Sequence, residues 1–67
     1  MATVTKDRLE RRAVEALGRG AHIAVRESPI GWVAEAWTAG NHVAIRVTGV
    51  SRRDVYEQLA CALARAA

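Results

Sequence analysis

Apolar residues in the 67-residue chain recur first at a helical period, then at a strand period, and then at a helical period again. Leu9, Ala13, Ala16 and Leu17 fall at i, i+4, i+7 and i+8, forming one stripe on a helix that Thr3 or Thr5 can cap and that runs to about Leu17. Its outer face sets Asp7 against Arg11, Arg11 against Glu15 and Glu15 against Arg19, at the four-residue spacing that supports a helix. Gly18 and Gly20 supply the stop signal. Near the other end, Val55, Leu59, Ala62, Leu63 and Ala66 make a second stripe, on a helix opened by Ser51 and reaching Arg65 or the chain end. That stripe leaves Arg53, Asp54, Glu57 and Cys61 pointing outward.

Between the helices the pattern alternates, which predicts strands over 22–27, 32–38 and 42–48. Ser28-Pro29-Ile30-Gly31 and Ala39-Gly40-Asn41 are the tight turns that join them. Setting Glu27 opposite Trp32 puts Val25 opposite Ala34 and Ile23 opposite Ala36; tight closure of the second turn puts Ala36 opposite Val43 and Ala34 opposite Ile45. The inner face is then Ile23, Val25, Trp32, Ala34, Ala36, Val43, Ile45 and Val47, with the two alanines of the middle strand letting a helix sit close. The outer rows read His22, Trp37, His42, then Ala24, Glu35, Ala44, then Arg26, Val33, Arg46. The expected fold is α+β: one αβββα domain over residues 1–67, a three-stranded antiparallel sheet with two helices packed on one face.

Size sharpens this picture. A chain this short buries only about 60% of the surface its unfolded form exposes, so packing and self-association become the means of stabilisation. Cys61 is the sole cysteine, which excludes an intrachain disulfide, and with only His22 and His42 beside it no structural zinc is expected. No other metal or cofactor is implied. The apolar run from Leu59 to Ala64 is too short to span a bilayer, and charges stand where a signal peptide has its apolar segment. A cytoplasmic protein without membrane contact is the expectation.

Charge adds a partner class. The net charge of +3 and the pI near 10.0 allow a polyanion. Basic residues concentrate in the two helical segments, and the unusual pair is Arg52-Arg53, in the first turn of the second helix. A helix N-terminus is already the positive end of the backbone dipole, so paired cations there point to an anion, phosphate being the usual one.

The element order and the segment Gly49-Val50-Ser51-Arg52-Arg53-Asp54-Val55-Tyr56 resemble the double-stranded RNA-binding domain. In that family a third strand runs into a Ser-Lys-Lys-type helix start whose lysines reach across an RNA major groove. The resemblance places Arg52 and Arg53 at the central phosphate contacts; in a nucleic-acid-binding reading Arg11, Arg12 or Lys6 of the first helix are the supplementary ones. The family's third basic position falls on Tyr56, and the first hairpin loop is the short Glu27–Gly31 segment. The order of elements also resembles small HicA-type ribonuclease toxins, but the chain has no Gly-Ser-His element. No catalytic residue is assigned, and a non-enzymatic binding module for double-stranded RNA or another nucleic acid is expected. The alternative is a homodimeric or adaptor module that uses the helix-free sheet face. Its surface would be Trp37, His22, His42, Val33, Arg26 and Arg46.

Overall fold

A computed structural model describes residues 5–66 of the protein. Helix α1 spans Lys6–Leu17, strands β1, β2 and β3 span His22–Ser28, Gly31–Trp37 and Val43–Gly49, and helix α2 spans Arg52–Ala66. The cap of α1 is Thr5, in extended conformation, whose Oγ1 accepts the Arg8 N–H at 3.3 Å. Thr3, the other cap candidate, lies outside the described residues. Gly18 closes the helix at φ 100°, its N–H donating to the Val14 carbonyl at 2.9 Å.

The strands form an antiparallel meander in the order β1-β2-β3. The first hairpin has the register that its hydrophobic alternation predicts: Glu27 faces Trp32, Val25 faces Ala34 and Ile23 faces Ala36. The second hairpin departs from expectation by two residues. Ala36 faces Ile45 and not Val43, and Ala34 faces Val47 and not Ile45. The turn is the cause. Thr38 N–H donates to the His42 carbonyl at 2.8 Å, closing a three-residue loop in which Asn41 takes the left-handed conformation at φ 63°. The register then shifts beside Ala36 and Trp37, leaving Ala44 as the extra residue of a bulge.

This shift of two preserves which residues of β3 face the helices from Ile45 onward, because strand side chains alternate with a period of two. It changes their neighbours. Val43, expected inside, stands exposed next to the bulge, and His42 lies in the turn before β3.

Both helices pack against one face of the sheet and against each other, α1 over β1 and β2, and α2 over β2 and β3. Leu9 and Ala13 of α1 and Val55, Leu59 and Leu63 of α2 are buried with Ala21, Ile23, Ala34 and Ala36. The middle strand contributes alanines at the centre of this contact, so each helix backbone approaches the sheet closely. Val25, Trp32, Ile45 and Val47 flank the core, half-buried. Cys61 is exposed, as the α2 stripe implies, and Ala66 at the stripe's end is exposed as well. Among the described residues no helix is long and apolar enough to cross a membrane.

Candidate binding surfaces

The start of α2 is built as a reciprocal cap. Ser51 Oγ accepts the Asp54 N–H at 3.1 Å, and Asp54 Oδ2 accepts the Val50 N–H at 3.1 Å. The carboxylate of Asp54 brings negative charge to the helix N-terminus, where the backbone dipole favours it. Both arginines of the turn also have partners within the fold. The Arg52 guanidinium lies 5.1 Å from the centroid of the Trp32 ring, and Arg53 Nε donates to Glu57 Oε1 at 3.2 Å. The charges of Arg52, Arg53, Asp54 and Glu57 cancel, so the first two turns of α2 are locally neutral. Lys6, Arg11 and Arg12 are exposed on α1, and among the described residues none of them is in an ion pair.

The helix-free face of the sheet is organised differently, and Glu35 is its centre. Glu35 is only 4% exposed although it points away from the helices. Arg26 Nη1 donates to its Oε1 at 3.4 Å from β1, and Arg46 Nε lies 3.2 Å from its Oε2 from β3. The two-residue register shift produces this arrangement, because it sets Arg46 directly opposite Glu35, where Ala44 was expected. One carboxylate thus pairs with two guanidiniums whose side chains remain 58% and 60% exposed. Each guanidinium has five N–H donors in a rigid fork, so most of its donors stay available. The net charge of this trio is +1, and its negative member is the buried one.

Next to the trio, His22 faces Trp37 across β1 and β2. Their rings are nearly parallel, at 13°, with centroids 5.9 Å apart. His22 is exposed, whereas Trp37 is half-buried, with Val43 as its neighbour on β3. Trp37 Nε1 is buried and finds no acceptor among the described residues. Val33 completes the face, half-buried in the row of Arg26. His42, expected to flank Trp37, gives up that position to Val43 because the three-residue turn keeps it out of the ladder.

Three features carry too little hydrophobic signal to be legible in the chain pattern. Glu35 as the anchor of both sheet arginines depends on the bulge; its one sequence signal is a single acid inside an otherwise apolar strand, with arginines on both neighbouring strands. Trp32 beneath Arg52 is the second. The third is the hairpin end, where Ile30 and Val50, 98% and 85% exposed, border a groove of about 310 Å³ lined also by Trp32, Val33 and Thr48. Among the described residues no cluster of three or more His, Cys, Asp or Glu side chains is arranged to hold a metal ion. Comparison with protein-family models, with curated proteins and with solved structures gives no match.

Proposed function

We propose that this chain is a small, non-enzymatic nucleic-acid-binding module whose main contact surface is the open face of the sheet. The observation that carries the reading is the buried carboxylate of Glu35 pairing with both Arg26 and Arg46 on an exposed face. Guanidiniums gathered on a shared carboxylate lose less conformational freedom when they meet phosphate, and they match its geometry. The αβββα order keeps the resemblance to double-stranded RNA-binding domains in view, but that family's grip at the start of the second helix is here largely satisfied from within. Arg52 and Arg53 act as secondary contacts in this reading. The exposed Arg53–Glu57 pair is worth at most about 0.5 kcal/mol, which a phosphate readily displaces.

The same trio counts against the homodimer alternative. A twofold contact through this face would set two copies of a +1 cluster against each other and desolvate four guanidiniums with two carboxylates between them. Sedimentation at high micromolar concentration should therefore show a monomer; a dimer broken by Trp37→Ala would favour the interaction module instead.

The binding test is a fluorescence-anisotropy titration of labelled RNA at several salt concentrations. Arg26→Gln with Arg46→Gln keeps an amide donor for the buried Glu35 while removing both charges. This variant should flatten the slope of log K against log salt by about 1.4–1.8 units, at 0.7–0.9 for each phosphate left without its cation. Arg52→Gln with Arg53→Gln should flatten it by less. Absence of binding by the wild type at low salt, or an unchanged slope in the sheet-face variant, overturns the proposal.

A further inference from the structure

We infer that the nucleic acid taken by this face is single-stranded, with one base laid against the Trp37–His22 ring pair and the neighbouring phosphates on Arg46 and Arg26. The inference rests on the reading above and adds the strand state and the division of labour between residues. His22 and Trp37 form one row of the open face, Ala24, Glu35 and Arg46 the next, and Arg26, Val33 and Thr48 the third. Successive rows lie two residues apart along a strand, about 7 Å. The rings and the two guanidiniums are therefore side by side on one surface, with only the small side chain of Ala24 filling the β1 position between His22 and Arg26.

The aromatic pair determines the strand state. A duplex keeps its bases stacked inside and offers sugar, phosphate and groove edges along its length, none of which presents a base face to an indole. A single strand can splay a base onto an aromatic surface while its backbone follows the cations, and such stacking tolerates any base. Two observations make this pair suited to the task. The pair reaches solvent, His22 being exposed and the Trp37 stacked on it half-buried. Trp37 Nε1 makes no hydrogen bond to the described residues, so packing and the His22 contact alone set the orientation of the indole. Charge complementarity selects the occupant: a net positive trio directly beside a partly exposed aromatic pair fits a strand that carries phosphate and base in alternation.

The experiment uses the full chain and a single-stranded RNA oligonucleotide of mixed sequence, with its perfect duplex as the second probe. Trp32→Phe is the background, because it keeps a ring beneath Arg52 and leaves Trp37 as the only indole. Binding of the single strand should quench Trp37 emission and be tighter than binding of the duplex. His22→Ala, at an exposed position that should not disturb folding, and Trp37→Leu should each weaken single-strand binding by about 5- to 150-fold, the range for loss of one stacked base. Neither variant should change the salt slope, because neither removes a cation. Equal affinity for the duplex, unquenched Trp37, or full affinity in both variants overturns the single-strand assignment while leaving the nucleic-acid reading in place. No binding of either probe at low salt removes both. Trp37 emission that changes with protein concentration alone, without RNA, assigns the face to a second copy of the chain and also overturns the inference.

Discussion

Leu59→Ala is expected to remove most of the stability of the domain. Leu59 is fully buried midway along α2, within the core shared by both helices and the sheet. Truncating a buried leucine costs about 2–5 kcal/mol, through the transfer energy of the deleted atoms and through the cavity left behind. At roughly 0.05–0.15 kcal/mol per residue, a chain of this length has only about 3–10 kcal/mol in total. The substitution therefore consumes half or more of the available stability over much of that range. A thermal melt followed by circular dichroism should show the midpoint lowered by about 10–40 °C. Cys61→Ser, two residues along the same helix but exposed, is the matched control and should stay within about 0.5 kcal/mol of the parent. Comparable melts for the two variants would place the core elsewhere.

Gly31→Ala should have the next largest effect, for a different reason. Gly31 sits at φ +149°, in a region L-residues rarely adopt, and a β-carbon there would stand 2.5 Å from the carbonyl oxygen of Gly49. That oxygen belongs to the backbone, so the clash is relieved only by moving the end of β3, and the cap of α2 follows directly behind it. Conformational strain alone costs about 1–3 kcal/mol, and the close approach adds to it. Gly18→Ala separates the two contributions, since Gly18 also has positive φ, at +100°, but a β-carbon there meets nothing within 4 Å. Urea unfolding should rank Gly31→Ala clearly below Gly18→Ala. Equal losses would mean that conformation, and not the approach of β2 to β3, dominates at Gly31.

The contrast between the hairpins shows what the pattern of residues can and cannot convey. Alternation of apolar side chains fixes parity, and parity is enough to identify every helix and strand, the buried alanines and the face that the helices cover. It also yields the first register correctly, because the Pro-containing turn from Ser28 to Gly31 leaves little freedom in closure. Parity cannot distinguish registers that differ by two, since both turn the same side chains inward from Ile45 onward; Val43, on the far side of the bulge, is exposed against expectation. In the second hairpin that choice is made by the left-handed Asn41 and the extra Ala44, local backbone features with almost no hydrophobic signature. The partner of Glu35 depends on that choice, and with it the organisation of the candidate surface. Arg52 and Arg53 illustrate the complementary limit. Their position at a helix start is legible, but the Trp32 ring and the Glu57 carboxylate that engage them come into reach only once α2 is seated beside β2.

The bulge at Ala44 also bears on how the sheet edges of two copies of the chain can meet. With the order β1-β2-β3, both outer strands present a row of unsatisfied backbone N–H and C=O groups, a template for edge-to-edge pairing and aggregation. An extra residue bends a strand and increases its local twist, so β3 does not offer a long, flat edge to a neighbour. On the opposite edge, β1 carries exposed charges at Arg26 and Glu27. The irregularity that aligns Arg46 with Glu35 therefore also protects a small, unpaired sheet from its own copies.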